Sequence, residues 1–93
     1  ESAHSLAFRD ISPQAPTHIL VVPKRHVANA VELAQVSAEE LQDLFALAAR
    51  VAAADGYAED YRLVFNTGAG AGQVIFHAHL HVLAGRPMGW PPG

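Results

Sequence analysis

Three histidines, His77, His79 and His81, are separated by single apolar residues near the C-terminal end of this sequence. Successive side chains on an extended strand point to opposite faces, so this spacing predicts three imidazoles on one face. The intervening Ala78 and Leu80 point to the other face, and the histidine face is predicted to meet solvent or a ligand. An imidazole can attack an electrophile, transfer a proton near neutral pH or ligate a metal ion.

A glycine-rich segment, Gly-Ala-Gly-Ala-Gly at residues 68–72, shortly precedes the histidines. Glycine has no side chain, so the backbone N–H groups of such a loop can approach phosphate oxygens closely. A glycine-rich loop is by itself a weak signal and is most often a flexible turn. Beside three nitrogen nucleophiles it indicates a phosphate-containing substrate.

A metal centre is the alternative use of the same histidines. Histidine nitrogen is a common zinc ligand, with bonds of about 2.0–2.1 Å. On a strand, neighbours such as His77 and His79 lie about 6.6 Å apart and could share one ion, whereas His77 and His81 lie about 13 Å apart. A third ligand, such as His26, would have to come from another part of the chain. The spacing therefore favours nucleophilic catalysis over a metal site.

Length and composition limit the class of protein. The 93 residues predict a single domain over residues 1–93, and a domain this small gains stability from forming a homodimer. A net charge of −3 argues against a nucleic-acid-binding protein, which must neutralise phosphates. No apolar run of about 18 residues predicts a membrane span. The absence of cysteine fits a reducing compartment, so we expect the cytoplasm.

Apolar periodicity and turn residues predict the elements that position the histidines. We expect strands at residues 4–10, 17–22, 61–65 and 74–83, and a helical turn at residues 29–33. The clearest helix begins at Ser37, which has the capping-box spacing to Glu40, and ends at Asp55-Gly56. Together they predict an α+β domain, a mostly antiparallel sheet of four to five strands with one main helix packed on it.

Several motifs carry a resemblance that covers roughly residues 5–93. They are His-φ-His-φ-His-φ-φ (φ apolar) at 77–83, Phe-Arg-Asp-Ile-Ser-Pro-Gln-Ala-Pro at 8–16, Val-Pro-Lys-Arg-His at 22–26, Asn66, Gly72-Gln73 and Trp-Pro-Pro-Gly at 90–93. The chain resembles the histidine triad superfamily, and its ending resembles the histidine triad nucleotide-binding branch. Members of that branch hydrolyse purine nucleoside phosphoramidates. The resemblance implies a homodimer that needs no cofactor and a domain without the N-terminal segment usual in the family.

The resemblance also implies residue roles. His79 is expected to attack the α-phosphorus and form a nucleotidyl-histidine that water hydrolyses, while the backbone carbonyl of His77 fixes the His79 tautomer. His81 would stabilise phosphate oxygens, and His26 would support His77. The residues implied for nucleotide binding are Phe8 and Ile11 beside the base, Asp10 at the ribose hydroxyls, and Asn66, Gly72, Gln73 and Val74 at the phosphate.

One residue departs from the family pattern. A serine commonly follows the Gly-Gln pair and helps the leaving nitrogen take a proton, whereas this chain has Val74. General acid assistance is typically worth ~10²–10⁴-fold, so we expect slow phosphoramidate turnover or a different leaving group. The sequence thus predicts a hydrolase of purine nucleoside monophosphate conjugates. The alternative is a nucleotide-binding regulatory protein with little or no catalysis.

Overall fold

The two N-terminal strands form an antiparallel hairpin around a proline-containing turn. In the computed structural model, which describes residues 1–93, β1 spans Ser5–Arg9 and β2 spans Thr17–Pro23. Their pairing places Phe8 opposite Leu20. Proline cannot donate to a strand ladder, so the two prolines between the strands confine the pairing to these residues.

Two helices follow the hairpin and share one boundary residue. Helix α1 spans Ala30–Val36 and helix α2 spans Ala38–Ala54. The Ser37 hydroxyl accepts the Glu40 N–H at 3.1 Å, while the Ser37 N–H donates to the Leu33 carbonyl at 2.9 Å. Ser37 therefore ends α1 and begins α2, and α1 is longer than the turn that the sequence predicts. Neither helix has the length and apolar character needed to span a membrane.

The remaining two strands complete a four-stranded antiparallel sheet. β3 spans Arg62–Val64 and β4 spans Leu80–Ala84, and the strand order is β1-β2-β4-β3. The prediction that the last strand starts at residue 74 is wrong. Before Leu80 the chain leaves the sheet, because the Ala78 N–H donates to the Val27 carbonyl rather than to a neighbouring strand.

The apolar core lies between α2 and one face of the sheet. It includes Ile19, Val21, Leu80 and Val82 from the sheet and Leu44, Leu47, Ala48 and Ala52 from α2. Burial alternates along residues 77–84, with the odd-numbered residues half-buried and the even-numbered ones buried. The predicted alternation and the predicted α+β architecture are both confirmed. The histidines occupy the sheet face that α2 leaves open.

Candidate active site

A cleft of about 470 Å³ lies on the open face of the sheet and contains the histidine motif. Its apolar lining is Phe8, Leu20, Val22, Val74 and Ile75, and its polar lining is Asp10, His77, His79 and His81. Strand pairing explains this grouping, since Leu20 stands opposite both Phe8 and His81. A larger cavity of about 570 Å³, at the other end of β4, contains Arg62 and Arg86 but no histidine.

The tautomer of His79 is fixed by a backbone carbonyl. Its Nδ1 lies 2.9 Å from the carbonyl oxygen of His77. A carbonyl can only accept, so in the neutral ring the proton is on Nδ1 and donates to it. Nε2 is then unprotonated, and its lone pair is available to attack an electrophile in the cleft.

A second carbonyl fixes the pair of His77 and His26. His77 Nε2 donates to the Pro23 carbonyl at 2.9 Å, so the Nδ1 of its neutral ring must accept. The donor is His26, whose Nδ1 lies 2.8 Å away. Both nitrogens of His77 are therefore committed, and the ring is locked beside the nucleophile candidate.

A chain of hydrogen bonds also joins His81 to His18, a residue that no sequence motif identifies. The backbone N–H of Gln14 donates to His18 Nδ1 at 3.0 Å, so the proton of neutral His18 is on Nε2. That nitrogen donates to His81 Nδ1 at 2.9 Å, and the proton of His81 is consequently on Nε2. His18 is buried in β2, at a two-residue spacing from the cleft residues Leu20 and Val22 and so on the same face of the strand. This spacing is the only sequence signal that could have identified it.

The surroundings of His81 keep its ring neutral. Burial lowers the pKa of His81 below its ordinary value, and the neighbouring rings of His79 and His18 lower it further, whereas the Asp10 carboxylate raises it. The ring centroids of His79 and His81 are 5.1 Å apart. At neutral pH His81 thus presents an Nε2–H donor close to His79.

The turn after β1 brings Asp10 into the cleft but leaves Ile11 outside it. Asp10 Oδ1 accepts the Ser12 N–H at 2.8 Å, and Oδ2 lies 3.5 Å from His18 Nε2. Ile11 is 99% exposed and does not line the cleft, because this tight turn directs its side chain to solvent. Phe8, by contrast, is half-exposed on the cleft floor.

Gln73 connects the glycine-rich loop to two neighbouring segments. Its Oε1 accepts the Gly68 N–H at 2.8 Å, and its Nε2 donates to the carbonyls of Ala28 at 2.6 Å and Ile75 at 3.0 Å. The residue is only 2% exposed, and both ends of its amide are used within the protein. Its side chain therefore positions the loop, and it is not free to contact a ligand.

Only part of the glycine-rich loop is available to a phosphate. The Gly72 N–H donates to the Ala69 carbonyl, and the Gln73 N–H donates to Gly68. The Val74 N–H makes no hydrogen bond within the protein, and Val74 lines the cleft. The Ile75 N–H is likewise unbonded and Ile75 also lines the cleft, so the backbone of both residues after the loop can donate to an oxygen there. Asn66 lies beside the loop, since a Cβ at Gly72 would be 3.9 Å from its Nδ2.

One cluster has the spacing of a metal site. Asp10, His18 and His81 each place one ligand atom within 4.8 Å of the others. A metal ion on His18 Nε2 would require the ring proton on Nδ1, where the Gln14 N–H already donates. The metal alternative on His77 and His79 meets a similar obstacle, because both nitrogens of His77 are hydrogen-bonded. The hydrogen bonds favour nucleophilic and proton-donating roles for these rings.

Comparisons with known proteins agree with this geometry. The family model of the HIT domain matches residues 1–88. A HIT-like protein of Synechococcus elongatus is 48% identical over 88 residues, which are 95% of this chain and 77% of that protein. The crystal structure of a HIT family hydrolase from Legionella pneumophila has a TM-score of 0.93 at 49% identity and covers 100% of this chain and 84% of its own. A histidine triad nucleotide-binding protein from Candida albicans has a TM-score of 0.79 at 29% identity, covering 98% of this chain and 71% of its own.

Proposed function

This chain belongs to the HIT domain family, and from that premise we propose that it hydrolyses purine nucleoside monophosphate conjugates through a nucleotidyl-His79 intermediate. The bond broken is a P–N bond, as in a phosphoramidate, or a P–O bond at the α-phosphorus. The observation that carries the proposal is the unprotonated Nε2 of His79, whose Nδ1 donates to the His77 carbonyl. The scheme requires no cofactor.

In the first step the Nε2 lone pair of His79 forms a bond to the α-phosphorus. The bond to the leaving group breaks, its electron pair goes with the leaving atom, and water supplies the proton that this atom takes. Negative charge grows on the phosphate oxygens, where the Val74 N–H and the Nε2–H of His81 can donate. In the second step water attacks the phosphorus, the bond to His79 breaks, the nucleoside monophosphate leaves and a proton passes to solvent.

The rest of the cleft suits a nucleoside. Phe8, Leu20 and Val22 form an apolar floor on which a flat base can lie. Asp10 Oδ2 lies 3.5 Å from His18 Nε2, and the hydrogen bond of this carboxylate within the protein is made by Oδ1, so Oδ2 can accept from ribose hydroxyls. An apolar floor beside a polar rim supports a purine nucleotide as the ligand of the cleft. It also supports the assignment of this chain to the histidine triad nucleotide-binding branch.

A second candidate function is nucleotide binding with little or no catalysis. Val74 favours it, because an aliphatic side chain that is 82% exposed stands at the mouth of the cleft and has no proton to give. Such a protein would bind a nucleoside monophosphate in the same cleft and act through that binding.

We also propose that the active species is a homodimer. β3 is an edge strand of the sheet, so one side of its backbone is open to pairing with a second copy. A cavity of about 440 Å³ lined by Val64, Phe65 and Trp90 follows that edge, and Trp90 is 85% exposed. A second copy would cover both the strand and the tryptophan.

Adenosine 5′-phosphoramidate separates the two candidate functions. We expect the protein to release AMP, followed by ³¹P NMR, and His79→Asn to lower kcat/KM by at least about 10³-fold, as loss of a nucleophile does. Titration with AMP alone should shift the NMR signals of the cleft residues in both proteins. Undiminished turnover by His79→Asn contradicts the covalent scheme, and AMP binding without turnover by the unmodified chain favours the second candidate.

A further inference from the structure

An apolar lip borders the histidines where the glycine-rich loop ends. It consists of Val74 and Ile75, which are 82% and 64% exposed and both line the cleft. Phe76, the next residue, is 53% exposed. Contiguous exposed apolar residues occur at interaction surfaces and ligand-binding grooves, and the position of Val74 and Ile75 in the lining of the cleft favours contact with a ligand. The floor formed by Phe8 and Leu20 suits a base, so the lip is free to contact the leaving group, the other half of a conjugate.

The charge of the cleft restricts what that half can be. No lysine or arginine lines the cleft, and its only charged group is Asp10. Three of the six cationic side chains form ion pairs elsewhere, and two others line the cavity at the far end of β4. A polyphosphate leaving group would bring several negative charges beside a carboxylate without a cation to balance them, which is unfavourable.

The protons of the cleft restrict the leaving group further. The Nδ1 proton of His79 and the Nε2 proton of His77 are both given to carbonyls. The remaining donor, His81 Nε2–H, donates to the phosphate oxygens in the proposed reaction and is therefore not available to the leaving atom. Val74 and Ile75 carry no acidic proton. The leaving atom must therefore depart with little help from a general acid.

We propose that the cleft selects conjugates whose leaving group is uncharged, apolar and weakly basic, such as an arylamine joined to the α-phosphorus by a P–N bond. This inference rests on the proposed function and narrows its substrate class. His79 Nε2 forms the new bond to phosphorus, and the P–N bond to the arylamine breaks. The electron pair of that bond goes to the aryl nitrogen, where the ring delocalises it, and water supplies the proton to this nitrogen as the bond breaks. The lip packs against the aromatic ring.

Two adenosine 5′-phosphoramidates of similar size test the basicity requirement, one made from aniline and one from the far more basic cyclohexylamine. We expect kcat/KM for the anilide to exceed that for the cyclohexylamide by at least about 10²-fold, the scale of missing acid catalysis. Val74→Thr preserves the volume of the side chain and adds a hydroxyl. It should reduce this ratio by at least about 10-fold, whereas Val74→Ala, which adds no proton donor, should leave the ratio above about 10²-fold.

Two further experiments test whether the leaving group must be apolar and whether it must be uncharged. Ile75→Ser should raise KM for the anilide by about 10-fold relative to KM for the unsubstituted phosphoramidate, which has no ring to contact the lip. ATP, whose leaving group is pyrophosphate, should react at least about 10²-fold more slowly than the anilide in kcat/KM, because the cleft offers no cation.

Different results overturn the inference and the function on which it rests. Equal kcat/KM for anilide and cyclohexylamide, an unchanged ratio in Val74→Thr, an unchanged KM ratio in Ile75→Ser, or ATP turnover equal to that of the anilide overturns the leaving-group proposal. In each of these cases turnover that depends on His79 leaves the proposed function intact. Absence of His79-dependent turnover with every conjugate overturns both.

Discussion

At the scale of single residues, five of the six histidines meet around one cleft, and backbone groups decide where their protons lie. Three backbone contacts set the pattern: the Gln14 N–H on His18, the Pro23 carbonyl on His77, and the His77 carbonyl on His79. Each neutral ring is then limited to one tautomer. Among the three histidines that line the cleft, the free lone pair is on His79 Nε2 and the free N–H is on His81 Nε2.

The contact between His18 and His81 is testable through this tautomer. His18→Leu removes the donor to His81 Nδ1, so the His81 ring should populate both neutral tautomers, visible in ¹⁵N NMR. We expect kcat to fall by about 10-fold, the equivalent of one lost hydrogen bond. His18→Gln, whose amide can still donate, is the matched control and should recover most of the activity. A single unchanged His81 tautomer in His18→Leu contradicts this role.

At the scale of elements, the loop that precedes the histidines depends on one buried amide. Gln73→Glu replaces the donor to the Ala28 and Ile75 carbonyls with an oxygen, so these contacts become repulsive. We expect a loss of about 1–3 kcal/mol in the free energy of unfolding and faster hydrogen exchange in residues 67–72. Gln35→Glu, on the exposed side of α1, is the control. Protected loop amides in Gln73→Glu would show that the loop is held by other contacts.

The C-terminal end of α2 is tied to the hairpin by Asp55. Its carboxylate accepts two hydrogen bonds from the Arg9 guanidinium, at 2.7 and 2.8 Å, and one from the Thr17 hydroxyl at 2.7 Å. The Arg9 contact, followed by that from Thr17, lowers the pKa of Asp55 from 3.8 to about 2. The folded state therefore holds this proton less tightly than the unfolded chain does. The resulting stability is complete above pH 3.8 and is lost as the pH falls towards 2.

Asp55→Asn should therefore weaken the dependence of the free energy of unfolding on pH in acid. We expect the free energy of unfolding in urea to vary less with pH between about 4 and about 2 than in the unmodified chain. Asp60→Asn is the control, because it removes an exposed carboxylate that has no ion-pair partner. It should retain the steep dependence of the free energy of unfolding on pH. An equally steep pH dependence in Asp55→Asn would contradict this role of the Asp55 carboxylate.

Local patterns in the sequence predict the elements well, and long-range partners explain what they miss. Ser37 begins α2 and the burial of residues 77–84 alternates because capping and strand geometry depend on neighbouring residues. His18 was missed because it interrupts an otherwise apolar β-branched run, and its partner His81 lies 63 residues away. The start of β4 was misplaced because Ala78 pairs with Val27, outside the sheet.

At the scale of the whole molecule, the two faces of the sheet have different roles, one in the apolar core and one in the cleft. One face packs against α2, and the other carries the cleft. Along β4 the two tasks alternate residue by residue, with Leu80 and Val82 in the core and His81 in the cleft. The neighbours of His81 on this strand, Leu80 and Val82, are buried in the core and so anchor the backbone that carries its ring.

The open edge of β3 predicts assembly of two copies. Light scattering coupled to gel filtration should give twice the mass of one chain, and Val64→Asp should raise the dimer Kd by at least about 10-fold by placing like charges across the shared edge. Val31→Asp introduces the same charge on α1, where Val31 is 59% exposed, and should not change the mass. A monomeric mass for the unmodified chain contradicts the homodimer.

The most direct test of the account is to locate the covalent bond to phosphorus. The protein is mixed with adenosine 5′-phosphoramidate, quenched within the first turnover in alkaline denaturant, digested and mapped by mass spectrometry. We predict one adenylyl group on the imidazole of His79, and none on any residue of His79→Asn. An adenylyl group on His77 or His81 instead, or release of AMP at an undiminished rate by His79→Asn, would contradict the role of His79 as the nucleophile.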